Sequence, residues 1–135
     1  MFGAGPYGVE SAREMFGAWE DFGIYMITRK WGDSEKILYI GLVYWRSFAE
    51  RIAEHDRDLL WNVRGKINVR VGRIRLGGGS KHSYERMEDV ENLLIYMYQP
   101  EFNYKGRGWY YGREIKIINL GRRGPLDKIV SSERL

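Results

Sequence analysis

The sequence predicts a small α/β (α+β) domain, built on a central three-stranded antiparallel sheet flanked by helices. Three observations carry that prediction. Phe22–Thr28, Lys36–Gly41 and Lys66–Leu76 are rich in β-branched and aromatic residues and alternate as strands do. Two further stretches, one opening at Ser47-Phe48-Ala49-Glu50 and one running Tyr84–Tyr98, carry apolar residues at helical spacing. No repeat, low-complexity segment or linker divides the 135 residues, a length that makes one domain with a real core.

Taken in order, Met1–Gly8 is glycine-rich and reads as loose chain. Val9–Trp19 reads as a short added helix, with Val9, Ala12, Phe16 and Trp19 in one stripe to cover the sheet. Gly32-Asp33-Ser34 supplies turn chemistry between the first two strands, which therefore form a hairpin. Alternation puts Tyr25 on a face with Gly23 and Ile27, and Tyr39 on a face with Ile37 and Gly41. If the strands pair, both tyrosines share a surface beside the helix that follows, although tyrosine is also common in half-buried strands. Ser47 to Glu50 forms a capping box, and Phe48, Ile52, His55 and Leu59 make the inward stripe, with Arg51 beside Phe48 and His55. His55 alone would read as a structural histidine.

In the third strand the apolar phase shifts at Gly72, which predicts a bulge or bend. Gly77-Gly78-Gly79 lacks the Gly-Lys-Ser/Thr ending of a phosphate loop and reads as a turn. The helix Tyr84–Tyr98 is ended by Pro100 and buries Met87, Val90, Leu94 and Met97 or Tyr98. Glu91 borders that stripe, where a carboxylate is usually paired with an arginine or metal-bound. Arg107–Gly112 and Glu114–Leu120 are expected as a C-terminal hairpin around Gly112-Arg113, and the tail from Gly121 is expected to fray. The three core strands are expected in the order Gly23, Tyr39, Val69.

Composition narrows the chemistry. At 44% hydrophobic and 30% charged, the chain has an ordinary globular make-up. Its longest apolar run, Leu93–Tyr98, is too short to span a bilayer, and no export signal opens the sequence, so no membrane and a cytoplasmic location are expected. The absence of Cys excludes disulfides and thiolate zinc sites, and two His argue against an all-imidazole site. Any metal is then expected to be a hard cation held by carboxylate and water. The net charge of +4 is unevenly spread. Arg64, Lys66, Arg70, Arg73 and Arg75 form a run with no acid among them, and Lys105, Arg107 and Arg113 surround Trp109, Tyr110 and Tyr111. Cations interleaved with aromatics suit a polyanion, with a solvated basic face as the plainer reading.

Gly23-Ile24-Tyr25 followed by Tyr39-Ile40-Gly41 resembles the signature of the GIY-YIG nuclease family. The similarity continues through Arg51 and His55, one helical turn apart, then Glu91, Leu93-Leu94-Ile95, Pro100 and Asn103. It spans Phe22 to about Asn103, with residues 104–121 as a basic extension. Between Gly41 and Arg51 the rim Leu42-Val43-Tyr44-Trp45-Arg46 takes the place of the family's usual small and basic residues.

The resemblance implies a divalent-metal-dependent endonuclease acting on DNA. Tyr25, Tyr39, Arg51, His55, Glu91 and Asn103 would be its catalytic residues, with Glu91 and waters holding Mg²⁺ or Mn²⁺. Tyr39 would be the base or water-orienting group, Tyr25 would position water or phosphate, and Arg51 would bind the scissile phosphate. His55 would orient a tyrosine or assist proton transfer, and Asn103 would tie its segment to the site. A phenol must lie near cations to ionise at neutral pH. With no separate recognition domain, specificity would rest on Arg46, Arg64–Arg75 and Lys105–Arg123, or on a partner. A restriction-type or mobile-element enzyme on duplex DNA is the first expectation, cutting both strands as a homodimer or by sequential nicks. A structure-specific nuclease, an RNA nuclease and a non-cutting nucleic-acid-binding module are the alternatives.

Overall fold

The computed structural model describes residues 1–8, 11, 23–43, 48–55, 64–77 and 83–134. Its elements are β1 (Phe2–Gly8), β2 (Gly23–Trp31), β3 (Ser34–Val43), α1 (Phe48–His55), β4 (Lys66–Arg73), α2 (Tyr84–Tyr98), β5 (Lys116–Ile118), β6 (Leu120–Gly121), β7 (Ile129–Ser131) and a closing 3-10 turn, Ser132–Arg134. The expected helix Val9–Trp19 lies outside the described residues apart from Ser11, and so do Arg46, the capping residue Ser47 and Leu59.

The architecture is α+β, with a mixed five-stranded sheet in the order β3-β2-β4-β1-β6 and a separate pair β5-β7. The expected strand order is corrected: β2, not β3, lies in the middle of the three core strands. Gly23 to Thr28 are all buried, as a strand covered on both faces and paired along both edges requires. β3 is an edge strand, and its free edge proves central to the site.

The N-terminal strand was not expected. Met1–Gly8, read as loose, is β1, antiparallel to β4, and it pairs in parallel with β6. The main-chain N–H of Leu120 donates to Met1 O at 2.8 Å and that of Arg122 to Gly3 O at 3.1 Å. Its glycines hid it, since they lack the side chains that give a strand its alternating pattern. Gly72, expected at a bulge, instead pairs in register with Ile24 and Gly3. The shift of phase has another cause: Val69 and Val71 pack on one face of the sheet and Ile74 on the other.

The hairpin does hold a bulge, in β3. Ile27 faces Tyr39 and Thr28 faces Ile37, so Leu38 is the extra residue. Tyr39 therefore does not share a face with Ile37 as simple alternation predicts. Ile37 joins Ile24, Met26 and Ile40 in the larger core, while Leu38 joins Tyr25, Ile27, Val69 and Val71 on the opposite face.

The larger core is closed by α2 and the C-terminal segment. α2 has its expected bounds, with the Ser83 hydroxyl accepting from the Arg86 N–H at 3.2 Å and Gln99 turning left-handed before Pro100. It buries Met87, Val90, Leu93, Leu94 and Ile95, while Met97 is exposed. The expected C-terminal hairpin is corrected as well. Residues 107–114 contain no strand, and Lys116–Ile118 pairs instead with Ile129–Ser131. The tail beyond Gly121 is anchored, because Leu126 and Val130 fill the core beside Ile115 and Ile117. Among the described residues no helix is long and apolar enough to cross a membrane.

Candidate functional site

Gly41 stands opposite Tyr25 in the hairpin, and a Cβ there would collide with the Tyr25 ring. The glycine of the second triplet thus makes room for the tyrosine of the first. Tyr25 is fully buried, with its ring stacked 6.0 Å from that of Tyr39. α1 adds two side chains separated by one turn. The His55 ring lies 4.3 Å from that of Tyr39, and its Nε2 is 2.5 Å from the Tyr25 hydroxyl. Arg51 hydrogen-bonds to Tyr25 and pairs with Glu54 at 3.1 Å.

The free edge of β3 brings in the remaining two residues. An edge strand presents unpaired main-chain N–H and C=O groups that must find partners when buried. The Asn103 carboxamide acts as a one-residue strand: the Ile40 N–H donates to its Oδ1 at 2.9 Å, and its Nδ2 donates to Ile40 O at 3.0 Å. Phe102 N–H adds a bond to Leu38 O at 2.8 Å. Two residues along, the Leu42 N–H donates to the Glu91 carboxylate. Tyr39, Arg51, Glu91 and Asn103 consequently line one cleft of about 520 Å³, with Leu42, Tyr84, Glu88, Tyr104 and Lys105 also on its walls. All six expected site residues are thus clustered around it, Tyr25 and His55 directly behind Tyr39.

No family model, curated protein or solved structure matches the chain.

Burial dominates the electrostatics. The Tyr25 phenol is pushed well above its ordinary value by desolvation and by Tyr39, with Arg51 opposing. Tyr39 is raised for the same first reason, again against Arg51. The single guanidinium is thus insufficient to ionise either phenol at neutral pH, and Tyr25 shares a short hydrogen bond with His55 Nε2 whose donor is set by the imidazole tautomer. Glu91 is pushed up to about 7 by desolvation, partly offset by the Leu42 N–H and Arg51, while the charge of Glu88 raises it further. Among the described residues no group of three or more His, Cys, Asp or Glu side chains is placed to hold a metal. What the cleft offers is one desolvated carboxylate on a wet wall, with Glu88 one turn earlier. That donor set fits a hard cation that keeps most of its water.

The expected nucleic-acid contacts divide. Arg64, Lys66, Arg75, Lys105 and Arg107 are exposed, and Arg73 is half-buried. Arg70 is corrected: it lies on the sheet face away from the tyrosines, where Nε and Nη2 grip the Glu35 carboxylate at 2.9 and 3.0 Å. Thr28 donates to the same carboxylate at 2.8 Å, so this arginine is a structural cation. Arg113 leans toward Asp89 at 3.7 Å. Tyr110, grouped with the exposed aromatics, is buried and donates to the Arg113 carbonyl. Tyr84 and Glu88 were missed at the site. Their positions, seven and three residues before Glu91 on one helix, are the signal that could have found them.

Proposed function

We propose that the chain is a divalent-metal-dependent nuclease of the GIY-YIG kind, hydrolysing phosphodiester bonds in nucleic acid. The observation that carries this reading is the convergence of Tyr39, Arg51 and Glu91, remote in sequence, on one solvent-filled cleft. Arg51 neutralises the non-bridging oxygens of the phosphate as charge builds on them. Glu91 would hold Mg²⁺ or Mn²⁺, which when bound supplies further charge neutralisation and assists the leaving oxygen. Tyr39 orients the attacking water.

Since burial disfavours a phenolate, the proton is passed rather than stored. Water gives its proton to the Tyr39 oxygen, and the charge is passed along the hydrogen-bonded row Tyr39, Tyr25 and His55, each phenol turning its hydroxyl to release its own proton as it accepts the next, so that the proton ends on His55 Nε2. Asn103 holds β3, and with it Tyr39, against the loop that forms the far wall. A plasmid-nicking assay with and without Mg²⁺, on wild type and Glu91→Gln, tests the reading. Metal-dependent nicking that Glu91→Gln abolishes supports it. Binding without cleavage of any DNA or RNA would leave only a binding module.

A further inference from the structure

We infer that the cleft seats an unpaired nucleotide, its base stacked on Tyr104, next to the phosphate gripped by Arg51. The inference rests on the nuclease reading and narrows its substrate from a continuous duplex to a strand that is unpaired at the cleavage point. Tyr104 is 85% exposed, yet its backbone follows the segment fastened to β3 by the bonds of Phe102 and Asn103. Beyond it, Gly106 turns at φ 84° against Ile95, and Gln99 Nε2 donates to Arg107 O at 2.7 Å. The ring is therefore held in water on a fixed support, where it makes no contribution to the core. Across the cleft stands Tyr84, half exposed on the first turn of α2. Lys105 on the same wall and Arg107 just beyond it are both exposed, so the strip of surface that carries Tyr104, on the side away from Glu88 and Glu91, offers cations to a polyanion.

A rigid ring beside cations accepts any base by its π-face, but only a base that has left its duplex stack. Tyr104 is too exposed for its loss to threaten folding, which makes it a clean probe. Binding is measured in EDTA, so that nothing is cut, with a single strand carrying 2-aminopurine and with the same sequence as a duplex. The expected result is that Tyr104→Ala weakens single-strand binding about 10-fold and abolishes quenching of the 2-aminopurine. Duplex binding should be little changed, and Tyr104→Phe should restore both signals. Equal weakening of both substrates, or of neither, overturns the inference. Cleavage in Mg²⁺ judges the underlying reading separately. A wild type that cuts duplex while Tyr104→Ala binds single strands normally refutes the stacking site alone, whereas a wild type that cuts nothing refutes the nuclease.

Discussion

Replacing Glu91 by Gln is expected to stabilise the metal-free protein above neutral pH and to leave it nearly unchanged in acid. Burial, with the charge of Glu88 added, pushes this carboxyl from its ordinary 4.5 to about 7. A carboxyl raised in this way favours its protonated form in the folded chain. Its penalty is absent below pH 4.5, grows as pH rises, and is complete above about 7. The full gap corresponds to about 3 kcal/mol, and to about 2 kcal/mol once the solvent still reaching the cleft is allowed for. For a chain of this size that is a rise in Tm of roughly 5–10 °C. Glutamine keeps an acceptor for the Leu42 N–H, so the comparison isolates the charge. Thermal melts in EDTA from about pH 5 to about pH 8 read the difference. Adding Mg²⁺ or Mn²⁺ should reverse it: wild type gains stability by mass action, and gains more at higher pH because the proton must leave first. Equal melting temperatures at the alkaline end in EDTA would refute the burial argument. Equal stabilisation of both proteins by Mg²⁺ would refute Glu91 as the ligand.

Gly41→Ala should lose about 2–4 kcal/mol in denaturant unfolding, because its new methyl group has the Tyr25 ring in its way, while Gly8→Ala, which meets nothing, should stay within about 0.5 kcal/mol. Comparable losses for the two would show that the ring can move aside. His55→Gln should lower kcat by about 100-fold with KM little changed, since the relay loses its terminal acceptor; unaltered kcat removes His55 from the proton path. Arg70→Ala should lose about 1–2 kcal/mol of stability by taking both guanidinium bonds from the half-buried Glu35 carboxylate and leaving it the Thr28 hydroxyl, with no change in the salt dependence of DNA binding. Arg64→Ala should do the reverse, keeping stability and reducing the salt slope by about 1. An unchanged slope for Arg64→Ala takes that residue off the binding surface.

The two triplets, the one-turn spacing of Arg51 and His55, and the bounds of α2 were legible because each is a local matter. Turn residues, alternation and helical spacing act over a few neighbours, and α2 ends where Gln99 and Pro100 stop it. The hairpin turn too is written in Gly32-Asp33, but that turn alone would set Tyr25 opposite Ile40, and it is the bulge at Leu38 that brings Gly41 there. The roles attached to those residues came from resemblance, not from spacing.

What lay beyond the sequence is what depends on partners distant along the chain. β2 became the middle strand because β4 pairs along its second edge, and nothing in either segment names the other. β1 and the C-terminal strands are too short or too rich in glycine to show a period, and they exist because the sheet and core offer them bonds and burial. Whether Arg70 meets phosphate or carboxylate was settled by which side of β4 it occupies relative to Glu35. The cleft itself is a product of one open strand edge. Ile40 and Leu42 had main-chain groups that tertiary packing left unpaired, and satisfying them drew Asn103 and Glu91 to the two tyrosines.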